Sequence, residues 1–169
     1  MIITLIGMPG SGKSCLGKAL SSKSKVKLVD SDKLIESIHK RKLQDIIDKD
    51  GVEAFRKIEE ETLLSLDPED DIILSTGGSA VYSSKAMEYL ATKGKILYLY
   101  CSYETIKERI GDFSKRGVVL KPGQDLLGLY NERVPLYEKY ADFTVNCDGK
   151  AYKKYQMNAL NIVQSLITK

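Results

Sequence analysis

The chain has 169 residues, enough for one domain with a sizeable core. Its 26 Lys+Arg against 23 Asp+Glu give a net charge of +3, and 43% of its residues are hydrophobic, which excludes a disordered chain. The lysines are scattered, with no basic block for nucleic acid, and no apolar run reaches the ~18 residues of a membrane span.

Residues 2–6 (IITLI) form a short continuous apolar run, the pattern of a strand buried on both faces of a parallel sheet. No basic region precedes the run and no cleavage site follows it, so it reads as a first strand and not as an export signal. A helix follows over 13–22, with Leu16, Ala19 and Leu20 at helical spacing, and then a strand at 26–29. Residues 33–66 hold two or three helices in succession, more than one crossover needs. In the last of them, 52–66, Phe55, Ile58, Thr62 and Leu66 share a face, with charges opposite. Further strands are expected at 71–75, 95–101 and 142–146, and helices at 84–93, 103–110, 124–139 and 151–168. Residues 111–123 have glycine at both ends and in the middle and no period, which marks a functional lid or a disordered loop. The alternation of strands and helices implies an α/β fold, a parallel sheet flanked by helices with right-handed crossovers. The whole chain, 1–169, reads as a single domain.

Three cysteines (Cys15, Cys101, Cys147), odd in number and widely spaced, argue against a disulfide framework or a zinc site and for a reducing cytoplasm. Only five of the basic residues are arginine: Arg41, Arg56, Arg109, Arg116 and Arg133. In so lysine-rich a chain, an arginine marks a place where a planar, bidentate donor is needed.

Gly7-Met8-Pro9-Gly10-Ser11-Gly12-Lys13-Ser14 matches G-x-x-x-x-G-K-[ST], directly after a strand and opening a helix. Glycines let backbone N–H groups turn inward on a phosphate, and the helix N-terminus adds its positive end. Lys13 would reach the β- and γ-phosphates, and the Ser14 hydroxyl would ligate Mg²⁺. No Asn-Lys-x-Asp is present to read guanine, and the size suits a small phosphotransferase.

Asp30-Ser31-Asp32 follows the second strand at the same sheet edge, where open α/β sheets bind ligands. It fits an ordinary helix cap, and equally one carboxylate for Mg²⁺ and one to accept a proton from an attacking hydroxyl. Arg56 and Glu60 fit an i,i+4 surface pair as well as a site. Gly77-Gly78 would bring bare backbone close to a ligand, or simply make a tight turn. Arg133 lies two residues before Pro135, which could kink its helix.

Together the phosphate loop, Asp30-Ser31-Asp32, Phe55-Arg56-Lys57-Ile58-Glu59-Glu60, Gly77-Gly78, Arg116 and Glu132-Arg133-Val134-Pro135-Leu136-Tyr137 resemble the shikimate kinase family in order and spacing, from residue 1 to about 146. The resemblance implies a three-layer P-loop kinase fold with five strands in the order 2-3-1-4-5. It implies ATP-dependent phosphorylation of the 3-hydroxyl of shikimate, in aromatic amino-acid biosynthesis. It implies a substrate-binding helical segment at about 31–62 and a lid at about 111–123. Lys13, Asp32 and Arg116 take the catalytic places, with Asp32 on the shikimate hydroxyls. Gly10, Ser11, Gly12, Lys13, Ser14, Cys15, Arg109 and Arg116 take the ATP-binding ones, Arg109 near the adenine. Arg56 and Arg133 grip the shikimate carboxylate beside Gly77 and Gly78, Glu59 orients the arginine, and Ser14 and Asp30 lie at the Mg²⁺. The expected partners are ATP and shikimate, with no nucleic acid and no membrane, and the expected state is a monomer in the cytoplasm.

The chain departs from the family pattern in three places: Ser79 replaces a third glycine, Gly117-Val118-Val119 replaces Pro-Leu-Leu, and 146–152 lacks the arginine and proline that often flank adenine. The rival readings are another small-metabolite kinase of the same fold, such as a gluconate kinase, and a non-catalytic nucleotide-binding regulator.

Overall fold

The strands Ile2–Ile6 (β1), Lys27–Asp30 (β2), Ile72–Ser75 (β3), Gly94–Tyr100 (β4) and Phe143–Asn146 (β5) form one sheet in the order β2-β3-β1-β4-β5. Every pairing is parallel, with Ile2 opposite both Ile72 and Gly94. The structure, a computed structural model, describes residues 1–111, 121, 123–149 and 151–167. The lid expected at 111–123, Arg116 included, therefore lies almost wholly outside the described residues.

The helices are Lys13–Ser24 (α1), Ser31–His39 (α2), Leu43–Asp50 (α3), Val52–Leu64 (α4), Ser84–Lys93 (α5), Tyr103–Ile110 (α6), Leu126–Tyr140 (α7) and Tyr152–Ile167 (α8). A 3₁₀ turn spans Ala80–Tyr82. Three helices, α2 to α4, thus fill the long crossover between β2 and β3. Right-handed crossovers put α1 on one face, where α8 packs against it, and α4, α5 and α7 on the other.

All five residues of β1 are buried, as its unbroken apolar run requires at the centre of a sheet covered on both faces. β2 and β5 lie at the edges and are half exposed. Two cores result. The large one joins β1, β3 and β4 to α1, α5 and α8, and a small separate one holds Ile35, Ile46 and Phe55 under α2–α4.

α4 corrects one expectation. It ends at Leu64, so Leu66 lies beyond it, and Glu59 is buried with Phe55, Thr62 and Leu63 instead of facing solvent. Polar groups at that depth, described below, draw the carboxyl inward. Pro135 sits inside α7, which continues past it to Tyr140.

Candidate active site

The site lies along the C-terminal ends of β1, β2 and β3. After β1 the chain turns through Gly7–Gly12, and Gly12 caps α1 with φ 98°, a left-handed conformation open to glycine at little cost. Lys13 is buried, and its Nζ donates to the carbonyls of Gly7 at 2.6 Å and Met8 at 2.9 Å. Burial lowers its pKa to about 8, with Asp32 pulling the other way. The ammonium thus stands inside the loop, hydrogen-bonded to carbonyls that a phosphate would outbid.

Asp30-Ser31-Asp32 is a cap and a site at once. Asp30 Oδ1 accepts from the N–H groups of Asp32 and Lys33 and starts α2, while Oδ2 accepts from the Ser14 hydroxyl at 3.3 Å. Ser31 is buried and accepts from the Gly77 N–H at 3.1 Å, tying the end of β2 to the turn after β3. Asp32 faces the cleft, and burial raises its pKa to about 6, with neighbouring Asp30 adding to the rise and Lys13 opposing it.

The glycine pair after β3 leaves room for the side chains that crowd it. A Cβ on Gly77 would stand 2.6 Å from Glu59 Oε1 and 2.8 Å from Asp32 Oδ1. On Gly78 it would meet an Arg133 guanidinium nitrogen at 2.9 Å. The Gly78 carbonyl is fixed by Tyr137 of α7, whose hydroxyl donates to it at 2.7 Å. Arg133 and Tyr137 stand four residues apart, so one face of α7 presents both to this turn.

These groups line a cleft of about 380 Å³. Its wall brings together Gly10, Gly12, Lys13, Ser14, Cys15, Asp32, Gly77, Gly78, Arg109 and Arg133, with Leu43, Ile47 and Phe55 as its apolar side. Ser11 lies beneath it, buried, its N–H donating to the Met8 carbonyl. Arg109 clasps the phosphate loop to the loop after β5, donating to the carbonyls of Ser11, Cys147 and Gly149. Cys15 is exposed at that end, 3.5 Å from the Tyr152 hydroxyl.

Arg56 does not line the main cleft. It lines an adjoining hollow of about 250 Å³ with Glu59, Ser79 and Tyr82, and pairs with Glu53 at 3.3 Å, not with Glu60. Glu59 accepts from Ser79 Oγ at 2.8 Å and touches the arginines only through its charge, although burial pushes its carboxyl up to about 7. The residue in place of the third glycine therefore holds the carboxylate implied to orient the arginine.

Sequence reasoning missed Tyr82 and gave Tyr137 no role. The i,i+4 spacing of Tyr137 from Arg133 could have found it. Nothing local marks Tyr82, one of ten tyrosines, on a 3₁₀ turn without periodicity.

The family model described as shikimate kinase matches residues 9–166. The chain belongs to the shikimate kinase family. The shikimate kinase of Vibrio campbellii is 37% identical over 153 residues, 89% of each chain. The structure of shikimate kinase from Acinetobacter baumannii in complex with shikimate superposes with a TM-score of 0.86 at 30% identity, covering 97% of this chain and 93% of that one. The Aquifex aeolicus shikimate kinase gives 0.82 at 28% identity, covering 97% and 96%. The strand order of these P-loop kinases is the one found here.

Proposed function

We propose that the chain transfers a phosphoryl group from ATP to the 3-hydroxyl of shikimate, in aromatic amino-acid biosynthesis. One observation carries the reading: Arg133, a cation only 2% exposed, shares a cleft with Asp32 and Lys13. Among the described residues no carboxylate lies within ion-pair distance of it. A buried cation with no carboxylate beside it is costly, even with a tyrosine hydroxyl and ring against it, so the cleft is built for an anion that also brings a hydroxyl to Asp32. The acid function and ring hydroxyls of shikimate, the molecule bound in the Acinetobacter baumannii structure, meet both demands.

In this reading the phosphate-loop amides and Lys13 stabilise charge on the transferring group. Asp32 orients the acceptor hydroxyl and takes its proton. A carboxylate raised to about 6 is a stronger base than an ordinary aspartate and is still mostly ionised at neutral pH. Ser14 and Asp30 fit Mg²⁺, since one hydroxyl and one carboxylate are the small protein share this ion takes when phosphates supply the rest. When bound, the ion would supply positive charge to offset that of the ATP phosphates. Arg109 belongs to the adenine end, and Arg116, on sequence grounds, to the phosphates. We place the enzyme in the cytoplasm as a monomer, in keeping with three free cysteines. Among the described residues no helix is long and apolar enough to cross a membrane.

A coupled assay of ADP release with Mg-ATP tests this across shikimate, gluconate and nucleoside monophosphates. Shikimate should stimulate release most. Stronger stimulation by either of the others overturns the reading, and no turnover with any of them favours a regulator.

A further inference from the structure

Both arginines of the anion site rest on one aromatic ring. The Arg56 guanidinium carbon lies 4.6 Å from the centroid of Tyr82 and that of Arg133 lies 5.2 Å from it. The Tyr82 hydroxyl has one proton, and this goes to Glu132 Oε1 at 2.5 Å. Its lone pairs are then left for Arg133, whose Nε donates to it at 3.2 Å. Glu132 is itself fixed by Lys121 at 2.7 Å and Gln124 at 3.1 Å. The carboxylate therefore sets the polarity of the hydroxyl, and the hydroxyl sets the angle of the guanidinium.

Two guanidinium groups gathered on one ring repel each other. Arg133 is buried, and the Nε of Arg56 is buried with no hydrogen-bond partner among the described residues, so solvent screens the facing sides of the pair poorly, while the outer tip of Arg56 reaches Glu53 at 3.3 Å. The electron-rich ring face attracts both. Arg133 lines the main cleft and Arg56 the neighbouring hollow, and the Tyr82 ring, on the hollow side, touches both guanidinium groups.

We propose that Tyr82 is a positioning residue that holds Arg56 and Arg133 together as one carboxylate clamp, and so selects an acidic acceptor. The proposal rests on the shikimate reading above. It makes Tyr82 matter for the carboxylate of the acceptor, and not for ATP or for the phosphoryl step itself.

The test compares wild type, Tyr82→Phe and Tyr82→Leu with two acceptors: shikimate, and the analogue whose carboxylate is reduced to a primary alcohol. Tyr82 is half-buried, and thermal melting verifies that each variant folds. Tyr82→Leu should raise the shikimate KM roughly tenfold, and Tyr82→Phe, which keeps the ring, by less. The ATP KM should stay within about twofold for both variants. The penalty should largely vanish with the alcohol analogue, which gives the clamp nothing to hold. An unchanged shikimate KM in folded Tyr82→Leu, or an equal penalty on both acceptors or on ATP, overturns the proposal while leaving the acceptor assignment standing. Wild type that ignores shikimate overturns the acceptor assignment itself, and the clamp with it.

Discussion

The Ser79 hydroxyl donates to Glu59 Oε2 at 2.8 Å, with both residues buried. The other carboxyl oxygen, Oε1, has no hydrogen-bond partner among the described residues and presses toward Gly77, as does Oδ1 of Asp32, which has none there either. Two carboxyl groups thus converge on one stretch of bare backbone in a desolvated corner. Burial raises the Glu59 pKa from 4.5 to about 7, the Ser79 hydrogen bond holds it down in part, and Asp32 pushes it further up.

A stability prediction follows from the sign of that shift. The folded value lies above the unfolded one, so the native state binds more protons between pH 4.5 and about 7. The contribution is fully present below about 4.5 and is lost as pH rises through about 7. Glu59→Gln removes the charge and keeps an oxygen for Ser79. It should be more stable than wild type at pH 8 by ~2–3 kcal/mol, or ~5–10 °C in Tm. Calorimetry should find the gain cut to roughly a quarter at pH 5. An equal gain at both pH values would assign it to packing instead of charge.

Lys13→Ala and Asp32→Asn should damage different steps. Lys13 stands inside the phosphate loop, so its loss should cripple turnover with every acceptor and weaken ATP binding. Asp32 faces the acceptor, so Asp32→Asn should spare ATP binding and lower kcat by ~10²–10⁴. Titration calorimetry with ATP separates the two. Loss of ATP binding in Asp32→Asn would move that residue from the acceptor to the metal or the fold.

The same two residues set the pH profile of kcat/KM for shikimate. Asp32 must be ionised to take a proton, which gives a rising limb centred near pH 6. Lys13 must be protonated to neutralise phosphate, which gives a falling limb centred near pH 8. A bell between these values is expected, and Asp32→Asn should remove its acidic limb. An acidic limb that survives in that variant would belong to another group, with Glu59 the first to examine.

The sheet was legible because buried parallel strands are unbroken apolar runs, and each strand lies within a residue or so of its expected place. The phosphate loop was legible because its chemistry needs glycines at fixed offsets. Glu59 is more instructive. Its spacing from Phe55 and Thr62 puts it on the buried face, while its charge argues for the outside, and only the resemblance gives it a place at the site. Tyr82 could not be read at all, and Ser79 only as a departure from the family's third glycine. Their work is done across the fold, on Arg133 and Glu132 for one and on Glu59 for the other. No local pattern records a contact between segments twenty or fifty positions apart.

The small cluster of Ile35, Ile46 and Phe55 stands apart from the main core. At ~1.5–3 kcal/mol for each buried side chain, it gives α2–α4 far less than the conformational entropy of ordering three helices takes away. Those helices borrow the rest from neighbours, among them the Ser31–Gly77 bond and the packing of α4 on α5. Their amides should therefore exchange with solvent through a local opening well below the energy of global unfolding, while those of β1, β3 and β4 wait for the whole domain to come apart. Leu43, Ile47 and Phe55 belong both to this cluster and to the cleft wall, so an acceptor in the cleft would slow exchange across all three helices, far beyond the residues it touches.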